Sequence, residues 1–225
     1  GTEWIDIYQF HGWDAVTPLE ESLEAMEHLI REGLVLYPGV SNFAAWQMAY
    51  LQGIVRAKGY TPYVSAQMNY SLLNRDVEYE VIPFLRYSNM TLMVWSPLHG
   101  GVLSGKYTDL EKPPPDSRFA RTGRQFPYFE REQVPPLINV LSEIGKEVDA
   151  TPAQVALAWL LSKKCVVLIG ARTPEQLEEN LRATEVRLRP DHISYLDRIT
   201  EQRQMYPNWM IEHQARDRTP KDYIE

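Results

Sequence analysis

Tyr63-Val-Ser-Ala-Gln-Met68, a helical stretch from about Asp76 to Arg86, and Thr91-Leu-Met-Val-Trp95 read in succession as strand, helix and strand. The two apolar runs are short and bounded by turn residues, as buried strands are. The same alternation continues outward in both directions. Upstream, Thr17-Pro18 opens a helix with Leu19, Leu23, Met26 and Ile30 on one face, ended by Gly33. The strand Leu34-Val-Leu-Tyr-Pro-Gly-Val40 follows, then a helix from about Ala44 to Lys58 closed by Gly59. Before them lies Trp4-Ile-Asp-Ile-Tyr-Gln-Phe-His11, where Trp4, Tyr8 and Phe10 alternate with Ile5, Ile7, Gln9 and His11, the two-face pattern of a buried strand. Downstream, Cys165-Val-Val-Leu-Ile169 reads as a fifth strand. Strands and helices in alternation imply a parallel sheet covered by helices. A strand that opens at residue 4 reads as joining a repeating α/β domain partway.

Composition narrows the class. The 225 residues, 44% hydrophobic and 24% charged, suit one globular domain spanning 1–225. With 23 Lys+Arg against 30 Asp+Glu the net charge is −7, which argues against nucleic acid or an anionic membrane as partner. No apolar stretch approaches the ~20 residues of a membrane span. Cys165 is the only cysteine, and its apolar surroundings fit an inert buried thiol in a reducing, cytoplasmic setting.

Three helices share one start pattern: Thr17-Pro-Leu-Glu20, Thr151-Pro-Ala-Gln154 and Thr173-Pro-Glu-Gln176. Each is expected to use Thr as cap, Pro in the first turn and Glu or Gln to bond back. The third directly follows a strand and Gly170, a place where a helix N-terminus can receive an anion. Between residues 100 and 136 lies the least regular stretch, with Pro113-Pro-Pro115, Pro127 and Pro135-Pro136. Its basic residues Lys106, Arg118, Arg121 and Arg124 favour a lid over a bare linker.

Chemistry in a parallel barrel gathers at the C-terminal ends of the strands. Those ends carry His11, Ser41-Asn42, Gln67 with Asn69, Trp95-Ser96 and Gly170-Ala-Arg172. Neutral hydrogen-bonding groups, a flat ring and a guanidinium suit a large polar cofactor with an amide and phosphates. The five histidines show no ligand spacing, so no metal site is expected. Nucleophile-elbow and Walker-type phosphate-loop patterns are absent as well. Each residue also has a plainer reading: His11 as a strand-end histidine satisfied by its neighbours, Trp95 as core, Lys106 and Arg172 as solvated charges. Tyr206-Pro-Asn-Trp209 either closes over the mouth of the site or packs on outer helices.

Taken in order, His11-Gly-Trp, Gly39-Val-Ser-Asn42, Gln67, Trp95-Ser-Pro-Leu98, Ser104-Gly-Lys106, Ser117-Arg118, and Gly170 with Gln176 and Glu179-Asn180 resemble the aldo-keto reductase superfamily. The similarity is greatest to the branch that includes potassium-channel β subunits and related bacterial reductases. It covers the whole chain but only the later part of the family's domain. The resemblance implies a (β/α)8 TIM barrel, of which this chain would hold the later five β/α units, binding NADP(H) and reducing aldehydes or ketones by hydride transfer. Ser41, Asn42 and Gln67 would bond the nicotinamide carboxamide, with Trp95 stacked on its ring. Ser96, Leu98 and Lys106 would hold the pyrophosphate side. Arg118, Arg172 and Gln176 would sit near the 2′-phosphate beside Gly170, and Glu179 and Asn180 would bond the adenine. The family also uses an Asp, a Tyr acid and a Lys from the first three strands and their loops; of that set only His11 is matched here. The expected partner is a small carbonyl substrate, with a homo-oligomer allowed. A second class stays open, an NADPH-binding regulatory subunit or pseudoenzyme without turnover.

Overall fold

The computed structural model describes residues 1–107, 110, 112–115, 117, 120–121, 123 and 127–215. Five strands, β1 (Ile5–Phe10), β2 (Val35–Ser41), β3 (Ser65–Asn69), β4 (Thr91–Trp95) and β5 (Val166–Val167), form one sheet in sequential order, every neighbouring pair parallel. Helices α1 (Leu19–Arg31), α2 (Ala45–Lys58) and α3 (Val81–Tyr87) make the first three crossovers; α4 (Val134–Val148) and α5 (Pro152–Ser162) make the fourth. Helices α6 (Pro174–Leu181), α7 (Pro190–Ile199) and α8 (Asn208–Ala215) follow β5. A sequentially ordered parallel sheet with helical crossovers is consistent with a TIM-barrel-like fold.

The register sorts the two faces. Gln9 pairs with Gly39, Gly39 with Ser65, Ser41 with Gln67, Gln67 with Met93, and Asn69 with Trp95, so these residues share one face. Val40, Ala66, Met68 and Val94 alternate with them, are buried, and join Leu23, Met48, Leu51 and Leu85 from the helices in the core. The apolar face thus meets the helices, and the polar face is left for chemistry.

Several expectations need correction. Strand β1 is not buried: Ile5 is 47% and Ile7 42% exposed, because among the described residues β1 pairs only with β2. The fifth strand is two residues long instead of five, and Cys165 before it is half-buried, its thiol bonded to the Leu160 carbonyl and pushed up to about 11 by burial. Thr17 does not cap α1; Pro18 holds the cap position and the Thr17 hydroxyl donates to Asp14. The helix expected over 76–86 is a 3-10 turn, Asp76–Glu78, followed by α3, with Pro83 in the first turn, where no N–H partner is lost. The irregular stretch ends earlier than 136, because Pro135 and Pro136 lie in the first turn of α4, which tolerates them for the same reason. Among the described residues, no helix is long and apolar enough to cross a membrane.

Candidate cofactor site

At the C-terminal ends of β1 to β4 the polar face becomes a hydrogen-bonded brace. The Ser41 hydroxyl donates to the Gln67 carbonyl at 2.9 Å. The Asn42 side-chain nitrogen donates to the His11 carbonyl and to Ser41 Oγ, each at 3.0 Å, while its oxygen accepts from Trp95 Nε1 at 3.1 Å. Asn42 has φ 57°, the left-handed conformation an Asn tolerates best after Gly. Asn69 donates to the Trp95 carbonyl at 3.2 Å, and its own side-chain oxygen is buried without a partner. A buried amide oxygen with no donor is a costly arrangement.

His11 is exposed at the mouth, and its imidazole has no hydrogen-bond partner among the described residues.

Beside this brace lies a cavity of about 440 Å³ lined by Ser96, Leu98, Lys106, Gly170, Arg172, Gln176 and Asn180, all expected, together with Arg121 and the glycines Gly100 and Gly101. The turn after β4 carries positive φ at Ser96 (55°), His99 (51°), Gly100 (67°) and Gly101 (92°). Left-handed backbone at non-glycine residues costs roughly 1 kcal/mol or more and persists only where surroundings over-determine it. Here His99 supplies the support: its Nε2 donates to the Tyr128 carbonyl at 3.1 Å, so Nδ1 accepts from the Ser71 hydroxyl at 2.9 Å. The Tyr107 hydroxyl donates to the Gly100 carbonyl and the Ser104 hydroxyl to that of Gly101. Gly101 is favoured as glycine by its φ of 92°, and an added Cβ would also press on the flexible Lys106 side chain, whose Cε would lie 3.3 Å away.

On the opposite wall α6 begins at Thr173, whose hydroxyl accepts from the Gln176 N–H as expected. The Gln176 side chain reaches back one residue further than a capping box would, to the Arg172 N–H at 3.0 Å. Asn180 donates to the Gly170 carbonyl at 3.2 Å, tying the helix to the end of β5. Glu179 lies elsewhere: with Glu175, Lys146 and Arg182 it lines a separate groove, while its carbonyl accepts from Gln154. Consecutive helical residues diverge by about 100°. Arg118 and Arg124 lie outside the described residues. Tyr206–Trp209 docks through Asn208 onto the Tyr79 carbonyl, with Tyr206 exposed.

The sequence-expected residues that the structure describes therefore fall into two adjoining groups: Ser41, Asn42, Gln67 and Trp95 in the brace with His11 exposed beside it, and Ser96, Leu98, Lys106, Gly170, Arg172, Gln176 and Asn180 around the cationic cavity, with Glu179 apart. Sequence reasoning left Arg121, Asn69 and Gln9 out of the cofactor set. Arg121 was visible only as one basic residue among several in an irregular stretch. Asn69 was visible through its parity with Gln67, and Gln9 through its parity with His11. Among the described residues, no cluster of His, Cys, Asp or Glu is arranged to hold a metal ion.

Comparison with known proteins gives a consistent result. The model of the aldo/keto reductase family matches residues 1–201. The Bacillus subtilis protein named uncharacterized oxidoreductase YrpG is 34% identical over 200 residues, covering 88% of this chain and 59% of its own length. An aldo-keto reductase of Fusarium vanettenii is 31% identical over 201 residues, 88% of this chain and 53% of its own. A Schizosaccharomyces pombe protein, provisionally named a voltage-gated potassium channel subunit beta, is 32% identical over 208 residues, 88% of this chain and 60% of its own. The chain thus spans a little over half the length of these relatives.

Proposed function

Because this chain belongs to the aldo/keto reductase family, we propose that it forms the cofactor-binding part of an NADPH-dependent oxidoreductase that reduces small aldehydes or ketones. The observation that carries the reading is the pairing of a cationic cavity with a neutral amide-rich brace at the same end of one sheet. Lys106, Arg121 and Arg172 converge on the cavity of a chain whose net charge is −7. That donor set suits phosphate, and the start of α6 adds backbone N–H groups and a favourable helix dipole. The Gln67 amide suits a carboxamide. The residues present therefore fit the dinucleotide.

In this reading Lys106 and the strained turn Ser96–Gly101 hold the pyrophosphate, and Arg172, Gln176 and Asn180 hold the adenosine side. Ser41, Asn42 and Gln67 orient the carboxamide while Trp95 covers the ring. The bound nicotinamide supplies the hydride. His11, at the mouth of the site, orients the carbonyl oxygen or relays a proton to it. The remaining β/α units that close a (β/α)8 barrel would lie against the open edges of β1 and β5, and would bring the Asp, Tyr and Lys that the family uses. A second reading, an NADPH-binding subunit without turnover, is supported by the similarity to the Schizosaccharomyces pombe protein provisionally named a voltage-gated potassium channel subunit beta.

Calorimetric titration with NADPH, NADH and 2′,5′-ADP tests the proposal. A charge-assisted contact to the 2′-phosphate is worth ~1.5–3 kcal/mol, so NADPH should bind about tenfold or more tighter than NADH. Arg172→Ala should erase most of that preference. Equal affinity for the two cofactors, or no saturable binding of either, refutes it.

A further inference from the structure

Gln9 lies on β1, two residues before His11, yet its side chain ends on β3 and β4. Its oxygen accepts from Gln67 Nε2 at 2.8 Å, and its nitrogen lies 3.3 Å from Ser65 Oγ and 3.5 Å from Met93 Sδ. To get there the side chain crosses β2 above Gly39. A Cβ on Gly39 would stand 2.9 Å from Gln9 Cγ and 2.5 Å from Ser65 Oγ, inside contact distance of both. Gly39 has no positive φ to explain it, so the close approach of Ser65 Oγ together with the passage of Gln9 is what favours a glycine there.

We propose that Gln9 is a positioning residue for the cofactor site: by taking up the Gln67 nitrogen it fixes which way the Gln67 amide faces and leaves the Gln67 oxygen as the acceptor at the cofactor. A Gln amide offers a donor end and an acceptor end of nearly equal shape, and only its neighbours decide between them. Gln9 makes that decision because its own two ends are committed in opposite directions, oxygen to Gln67 and nitrogen toward Ser65 and Met93. The bridge also ties the strand that carries His11 to the strands that carry Gln67 and Trp95. A dinucleotide whose carboxamide donates to Gln67 therefore depends on a residue it never touches.

This inference rests on the proposed cofactor role of Gln67, and its test separates the two. The first arm needs no cofactor. In the free protein the Gln67 side-chain amide protons, followed by NMR, should exchange slowly with water; Gln9→Leu should speed that exchange, and Gly39→Ala should do the same by blocking the crossing. Gln9→Glu, which keeps an acceptor toward Gln67, should restore the protection. The second arm compares ligands. Loss of one oriented hydrogen bond should weaken NADPH by about threefold to tenfold in Gln9→Leu. Binding of 2′,5′-ADP, which lacks the nicotinamide, should stay unchanged. Gln9→Leu added to Gln67→Ala should weaken NADPH no further. Unprotected Gln67 protons in the parent protein overturn the bridge. Equal weakening of both ligands, or none of either, overturns the positioning role. Protected Gln67 protons without any NADPH binding would remove the proposed cofactor role instead, and the positioning role with it, while leaving the bridge standing.

Discussion

Acid should destabilise this protein through His99. The ring is 1% exposed, and burial lowers it from 6.5 to about 4, with its hydrogen bonding to the Tyr128 and Pro127 carbonyls acting in the opposite direction. Above pH 6.5 the imidazole is neutral in both folded and unfolded chains, so its packing contributes fully. As pH falls below 6.5 the unfolded chain takes up the proton first, and stability is lost progressively until the folded ring titrates near 4; below that no more is lost. The gap between 6.5 and about 4, at ~1.36 kcal/mol per unit, amounts to about 3 kcal/mol. Glu27, Glu147 and Asp191 are also held below the usual carboxylate range, so acid acts on them too. The assay is therefore a difference measurement. His99→Asn keeps a residue that tolerates the positive φ but does not titrate. Urea unfolding of both proteins from pH 8 to pH 4 should show the parent's advantage over the variant shrinking by about 3 kcal/mol, a relative shift of roughly 6–12 °C in melting temperature at ~2–4 °C per kcal/mol. A difference that stays flat across that range, or an imidazole that titrates near 6.5 by NMR, refutes the reasoning.

Asp197 accepts from Lys163 at 2.7 and 2.8 Å and from Trp159 Nε1 at 2.8 Å, and the Lys163 and Arg75 cations both lie over the Trp159 ring. Asp197→Ala should cost about 2 kcal/mol, discounted from the upper range because the carboxylate is a third exposed, and an unchanged urea midpoint would show that the network carries no net stability. Thr151 and Gln154 form a reciprocal capping box at the start of α5, so Thr151→Ala should lose ~1 kcal/mol and Thr151→Ser almost none, read by thermal unfolding. Trp95→Ala should weaken NADPH by ~1–3 kcal/mol and abolish part of the fluorescence quenching on binding; unchanged affinity with a lower melting temperature would make Trp95 a packing residue.

The amino-acid sequence by itself determined the parallel α/β class, the position of four of the five strands, the caps at Thr151 and Thr173, and which polar residues stand at the strand ends. These follow from local rules: a period of two or 3.6, a turn residue, a cap three residues from its partner. It also carried the resemblance through which the cavity residues were named. Other features were decided only by the tertiary structure, because they depend on groups far apart along the chain. Glu179 and Asn180, adjacent in sequence, serve different grooves because the helix α6 divides them. Gln9 meets Ser65 across 56 residues and Met93 across 84, over a glycine on an intervening strand. Periodicity places a side chain on a face of the sheet, but only the register between strands decides what it touches there.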